Sequence, residues 1–261
     1  MLSREPVQAS SSAVVWVRVP SLPAGETTKL VMYYGQPAAE DGSDGDAVFE
    51  FFDDFDGTDG SGLDSAKWDS DAVNTVSGSI QGNKYRITDG TKSGGGYWIY
   101  NDTDTGSQDQ AQFTLPESFI VEWESTAGDT SASRMGQGGI ALVDDTDQIE
   151  AYLAHRDGWG SSINLERTWV YASTSGYETA TSGETKTFTL VKDGSTARFY
   201  VDGELKATGT MIGDPDKLSI AVGAYGGYPF LDYVDLDDLR VRQYADVDLE
   251  ITFVDDMFAP D

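Results

Sequence analysis

Two glutamates placed two residues apart are the first feature of this chain whose spacing could do chemistry. They lie in the run Phe119-Ile-Val-Glu-Trp-Glu-Ser-Thr126. Alternate residues of a strand share a face, so Glu122 and Glu124 would stand side by side. Two carboxyls about 5–5.5 Å apart, one as nucleophile and one as acid, are what retaining glycoside hydrolysis requires. Glu150, in the run QIEAYLAHR, is the third candidate if its strand neighbours theirs. The competing reading makes Glu122 and Glu124 solvated acids on the outer face of a strand whose Phe119, Val121 and Trp123 face a core. Other catalysts have less to build on. The chain has no cysteine and one histidine, His155, which follows Ile149, Ala151 and Leu153 in alternation and so reads as a strand-end structural residue. Neither a G-x-S-x-G elbow nor a phosphate-cradling glycine loop is present.

The elements that would position these residues are strands. The 261 residues show no convincing amphipathic helix, only short alternating runs separated by Gly, Asp, Ser and Thr, the pattern of an all-β sandwich or barrel. Residues 13–19 (AVVWVRV) and 28–34 (TKLVMYY) read as a two-stranded hairpin. Twelve runs follow between residues 48 and 244, enough for two sheets of about six strands each. A last run, LEITFVDDMF, occupies 249–258. The expected organisation is an N-terminal β-hairpin arm and linker (1–47), a sandwich (48–245) and a C-terminal extra strand or tail (246–261). An isolated hairpin is marginal in water, so the arm must dock on its own sandwich, pair with the C-terminal run or pair with another copy.

Charge narrows the partners. Forty-five acids, 32 of them Asp, face 17 bases, giving a net charge of −28. That repels nucleic acid and anionic membrane surfaces. No apolar run reaches the length of a membrane span, and Met1 to Glu5 carry no signal-peptide h-region. Such self-repulsion is relieved in concentrated salt, where charges are screened over about 3 Å, so the composition suits a protein of brine.

Two stretches resemble known families. The runs FFDDFDGTDGSGLDSAKW (51–68), FYVDGEL (199–205) and DLDDLRV (235–241), the last through Asp237, Leu239, Arg240 and Val241, resemble the concanavalin A-like lectin/glucanase (laminin G-like) superfamily. The implied fold is an antiparallel two-sheet jelly-roll with short β appendages at both ends. The upstream segment, with Trp16-Val17-Arg18-Val19-Pro20, Pro23-Ala24-Gly25 and Tyr33-Tyr34-Gly35, resembles the C-terminal half of a domain of unknown function of archaeal and bacterial surface proteins. Glucanases of the superfamily carry E-x-D-x-E on one strand. Here Glu124 stands where the central Asp is wanted, and Thr126 stands at the third acid, so the resemblance does not extend to catalysis. It does imply a structural calcium, held by Asp237 with backbone oxygens near Asp54, although Ca²⁺ wants six to eight oxygens and a chain with 32 aspartates makes chance clusters. Asp144, Asp145 and Asp147 read as a solvated turn.

Fold analogy also suggests glycan binding, in which aromatic rings meet sugar faces while acids, amides and Arg meet hydroxyls. The candidates are Glu150, Tyr152 and Arg156 on one strand, Trp159 in the loop after it, Arg167, Trp169 and Tyr171 on the next run, and Tyr225 and Tyr228 in the GAYGGYPF loop. Three functional readings stand on these residues. The first is a non-catalytic adhesion or glycan-binding protein, extracellular or surface-exposed, in one form the receptor-binding part of a virion. The second is a structural capsid, turret, fibre or decoration component of a virus of halophilic archaea, assembled as a homo-oligomer or with other subunits through its terminal strands. The third is a glycoside hydrolase using Glu122 and Glu124. No cofactor is required by any of them.

Overall fold

The computed structural model describes residues 15–19, 25, 28–31, 42–73, 77–89, 107–128, 136–145, 149–157, 163–166, 177–180, 182–211, 213–224 and 232–244. In chain order these form α1 (Gly45–Val48), β1 (Phe51–Asp53), β2 (Trp68–Val73), β3 (Ser77–Ile80), β4 (Tyr85–Asp89), β5 (Ser107–Thr114), β6 (Phe119–Gly128) and β7 (Gly136–Val143). Then come β8 (Ile149–Asp157), β9 (Ile163–Glu166), β10 (Tyr177–Ala180), β11 (Thr185–Asp193), β12 (Thr196–Val201), β13 (Glu204–Thr210), β14 (Lys217–Ala224) and β15 (Tyr233–Gln243). An eight-stranded sheet runs β13-β12-β11-β6-β15-β4-β3 with β1 also on β15, and a seven-stranded sheet runs β10-β9-β8-β7-β14-β5-β2. Every pairing is antiparallel. The alternating runs called for an all-β sandwich or barrel, and the fold is the antiparallel two-sheet jelly-roll that the resemblance implied.

Alternation decides what is buried. Phe119, Val121, Trp123 and Ala127 of β6, Phe188 and Leu190 of β11, and Phe199 and Val201 of β12 point inward from one sheet. Ile140 and Leu142 of β7, and Leu218, Ile220 and Val222 of β14, meet them from the other. Strands β2, β3, β10 and β13 were not expected, and all four lie at the ends of the two sheet orders. An edge strand has little need of an apolar alternation: β13 reads ELKATGT, and its residues are all half-buried or exposed. Of the expected N-terminal hairpin, residues 15–19 and 28–31 are described and carry no strand assignment; its remaining residues lie outside the described ones. The GYWIYN run and the C-terminal run lie outside the described residues.

The first strand is tied to the opposite sheet by a buried carboxylate. Asp53 accepts from Phe55 N (2.8 Å) through Oδ1 and from Trp68 Nε1 (2.6 Å) through Oδ2. Since β1 belongs to one sheet and Trp68 opens β2 in the other, this bond staples the sandwich at its entry. Asp64 shapes the intervening turn: its carbonyl accepts from Lys67 N and Trp68 N, and its carboxylate from Ala66 N. Phe55 takes a left-handed φ of +52°, unusual for a bulky residue. Burial offsets that cost, because its ring stacks between Trp68 and Tyr85 with centroids 6.2 and 6.0 Å away.

Burial pushes the Asp53 carboxyl above its ordinary 3.8, although the bonds from Trp68 and Phe55 pull the other way. The folded chain therefore takes up this proton at higher pH than the unfolded chain. The resulting stabilisation is complete below the unfolded value and is lost as pH rises through the folded one. Urea unfolding along a pH series checks it: the stability advantage of wild type over Asp53→Asn should shrink across that window and then level off. An advantage that grows with pH would contradict the burial argument.

Candidate functional site

The two outer faces of the sandwich have different chemistry. On the eight-stranded sheet, register places Glu122 opposite both Arg240 of β15 and Thr189 of β11. Arg240 donates to Glu122 Oε1 through Nε (2.9 Å) and Nη2, and the Thr189 hydroxyl reaches Oε2 at 3.2 Å. One turn of the ladder away, Arg86 of β4 grips Asp235 with two bonds of 2.7 Å. Its guanidinium lies 4.2 Å from the ring centroid of Tyr233, and that ring occupies the space a side chain at Gly128 would fill. Glu124 stands directly opposite Asp237. This face is a lattice of paired charges rather than a row of solvated acids.

That arrangement answers the catalytic expectation. Glu122 is committed to a guanidinium and a hydroxyl, so it cannot serve as a free nucleophile without breaking both contacts. Glu150 lies in β8 of the seven-stranded sheet, not on a neighbour of β6, whose partners are β11 and β15. The three glutamates therefore do not form one site. The reason is topological: the strand following β6 in sequence crosses to the other sheet, so adjacency along the chain does not become adjacency in a sheet.

The calcium expectation meets a similar obstacle. Asp237 Oδ2 is 2.5 Å from Lys84 Nζ, and its Oδ1 accepts from Asp238 N at 2.9 Å. Asp54 Oδ1 accepts from Asp56 N at 3.2 Å. An ammonium already sits on the carboxylate that would bind the ion, and among the described residues no group of three or more His, Cys, Asp or Glu side chains is placed to hold a metal. The residues at Asp54 and Asp237 do not fit a calcium cage.

The arm closes part of this same face. Trp16 packs edge-on to Phe49 with centroids 5.5 Å apart, and the Arg240 and Arg242 guanidinium carbons lie 5.1 and 5.4 Å from its ring centroid. Phe49 stacks on Phe52 at 5.7 Å, Lys67 Nζ lies 5.9 Å from the Phe52 ring centroid, and Arg18 reaches Glu50 at 3.4 Å. Burial lowers the Arg242 pKa, with the neighbouring Arg240 adding to the effect and Glu122 opposing it.

The seven-stranded sheet presents a different array. At its centre, Ala141 of β7 and Ser219 and Ala221 of β14 are fully buried, and Tyr152 enters their cross-strand row, Tyr152–Ala141–Ser219–Gln110. Toward the β10 edge the register builds two polar rows. One runs Gln137–Arg156–Asn164–Thr179, the other Gly139–Ala154–Glu166–Tyr177. Asn164, Glu166, Tyr177 and Thr179 were not singled out from sequence. The alternation of β9 is too short to reveal a face, and β10 was not recognised as a strand. Glu150 falls at a register shift, where Val143 pairs with Ile149 and Leu142 with Ala151. Six residues of strand, about 20 Å, separate it from Arg156. Trp159, Arg167, Trp169, Tyr171, Tyr225 and Tyr228 lie outside the described residues, as does Asp147. In the described pairings of this sheet no two acids stand directly opposite one another.

Removing the charge at Glu122 tests the paired reading. Glu122→Gln should lower stability by about 1–2 kcal/mol, because it leaves a mostly buried Arg240 without its counter-charge. Denaturant unfolding in concentrated KCl measures this. An unchanged midpoint would mean the carboxylate is not structurally engaged.

Residues 5–71 match the family model described as "Domain of unknown function (DUF2341)"; that segment spans the arm, α1 and β1 and reaches into β2. No curated protein matches the chain. Among solved structures, the laminarinase catalytic domain from Thermotoga maritima MSB8 is 11% identical, with 76% of this chain and 98% of that one covered, at a TM-score of 0.53. SCLam, a non-specific endo-beta-1,3(4)-glucanase from family GH16, is 14% identical over 74% and 89%, at 0.52. The CBM2 module of Lactobacillus casei BL23 phage J-1 evolved Dit is 16% identical over 76% and 97%, at 0.50. At these identities the likeness is one of fold. With the two-sheet topology it gives the architecture a name: a concanavalin A-like jelly-roll sandwich.

Proposed function

We propose that this chain is a non-catalytic, surface-exposed glycan-binding protein whose binding face is the β8–β9–β10 side of the seven-stranded sheet. The observation that carries the reading is the pair of cross-strand rows there, which align Arg156, Asn164 and Thr179 in one and Glu166 and Tyr177 in the other. Guanidinium, amide, hydroxyl, carboxylate and phenol are the groups that recognise sugar hydroxyls and ring faces. The strand register brings no second acid opposite Glu166, so the rows favour binding over the two-carboxylate chemistry of hydrolysis. Tyr152 stands one row along β8 from Ala154; Trp159, Arg167, Trp169, Tyr171, Tyr225 and Tyr228 are carried in this proposal as further ligand-binding candidates on their residue types alone. A net charge of −28 disfavours anionic glycans and suits a high-salt setting. The similar phage module is a carbohydrate-binding module by its name, which supports extending the reading to a receptor-binding part of a virion.

Affinity electrophoresis on laminarin, mixed-linkage β-glucan and host surface glycans, run in concentrated KCl, tests it. Retention without reducing-sugar release is expected. Arg156→Ala or Asn164→Ala should weaken it about tenfold through the loss of about 1.4 kcal/mol of hydrogen bonding, while Glu122→Gln leaves it intact. Turnover, or retention indifferent to both β8–β9 variants, would defeat the proposal.

A second reading has its own support. Val15, Val17, Leu30 and Val31 are 54–63% exposed on two arm segments that carry no strand assignment. Exposed large apolar side chains clustered in this way favour association, which supports assembly with a second copy, as in a virion or appendage subunit. Light scattering should then find an oligomer that Val15→Ser/Val17→Ser dissociates. A monomer in both would remove this reading and leave the first untouched.

A further inference from the structure

The arm is fastened to the sandwich through one set of side chains and shows its aliphatic ones to solvent. Trp16 and Arg18 make the contacts. The Trp16 ring meets Phe49, Arg240 and Arg242, while Arg18 reaches the Ala47 carbonyl through Nη1 and Glu50 through Nη2, both at 3.4 Å. Guanidinium groups are drawn to the negative face of an indole ring. The seat beneath is packed in its turn: Phe49 is buried and stacks on Phe52, whose ring fills the space a side chain at Gly45 would take. Val15 and Val17 alternate with Trp16 and Arg18 along the chain, and they are 63% and 54% exposed.

Two further observations say what covers these valines. Of the six exposed large apolar side chains among the described residues, Leu205 alone lies outside the arm. Among those residues, a second copy therefore offers the arm no better apolar counterpart than its own arm. Charge points the same way. Residues 6–39 hold one of the chain's 45 acids, Glu26, against two bases, Arg18 and Lys29. Two chains of net charge −28 repel one another, and this acid-poor stretch is where they approach at least cost. A patch that meets its own equivalent closes into a two-fold dimer.

We propose that two copies of this chain associate arm to arm about a two-fold axis, with Val15 and Val17 of each copy in the contact and Trp16 of each pinned to its own sandwich. The inference rests on the assembly reading above and gives it a surface, a symmetry and a positioning residue. By holding the valines in place on the monomer, the Trp16 pin removes part of the ordering cost that association would otherwise carry.

The chain has no cysteine, so single cysteines report on contacts between copies. Full-length Val15→Cys and Val17→Cys, treated with a short bismaleimide in concentrated KCl, should give a covalent dimer, because residues beside a two-fold axis lie close to their own equivalents. Leu205→Cys, a site 51% exposed on β13, should not cross-link. Light scattering of the wild-type chain should find a dimer. Trp16→Ala should weaken it about tenfold, and Trp16→Phe, which keeps a ring against both guanidinium groups, should retain it. Arg242→Met, which leaves the arm unaltered, should weaken it as well; should that variant fail to fold, the two Trp16 variants carry the test of the pin. An oligomer in which neither arm cysteine cross-links would overturn the arm-to-arm contact and leave assembly through another surface, whereas a wild-type monomer would remove both. An odd-numbered ring, cross-linking of Leu205→Cys as efficient as that of the arm sites, or a dimer indifferent to Trp16→Ala would also overturn the inference.

Discussion

The extra residue in β15, which spends Asp238 and Leu239 against one residue of β6, is the constraint on which the eight-stranded sheet depends. Before it, Val234 and Leu236 point inward; after it, Leu239 and Val241 do, and all four are fully buried. A strand without the bulge would turn one of these pairs out to solvent, since side-chain parity has period two. The bulge also marks a change of partner. Residues 234–236 pair with β4, residues 239–241 pair with β1, and β6 runs along the opposite side of both. One strand thus gathers the beginning, middle and end of the sandwich. The left-handed backbone at Asp238 and the opposed acids at Glu124 and Asp237 are the local costs, and Lys84 offsets the second by bonding Asp237.

Around that strand the two outer faces divide their roles. The eight-stranded face pairs many of its charges internally, through Arg240 with Glu122, Arg86 with Asp235 and Lys84 with Asp237, and takes the arm on Trp16. In a chain where acids outnumber bases so heavily, committing this many cations to one face leaves that face structural. The seven-stranded face keeps small, buried residues at its centre and polar residues toward β10.

The strands through the core were legible in the sequence because their alternation is a direct record of burial: FIVEWE, TFTLVK, ARFYV and LSIAV each carry an inward row. The staple was not: Asp53 and Trp68 lie in the motif stretch that carries the family resemblance, but their bond joins two sheets and emerges only from the fold. The edge strands β2, β3, β10 and β13 were not, because edge residues are free to be polar on both faces. Pairings between distant runs were equally hidden. Asn164, Glu166, Tyr177 and Thr179 become a patch only through register, and the supposed partnership of Glu150 with Glu122 and Glu124 dissolves once their strands are assigned to different sheets.

By itself, then, the sequence determined the class of fold, the inward rows, and the exclusion of thiol and multi-histidine chemistry. Composition and period-two patterning follow from local sterics and burial, and these are written residue by residue. Which charges meet was decided only by the tertiary structure. That Glu122 answers Arg240, that Lys84 answers Asp237, and that Asn164 stands opposite Arg156 all depend on strand pairings that alternation does not specify. Alternation fixes which way a side chain points, but not which strand lies next to it.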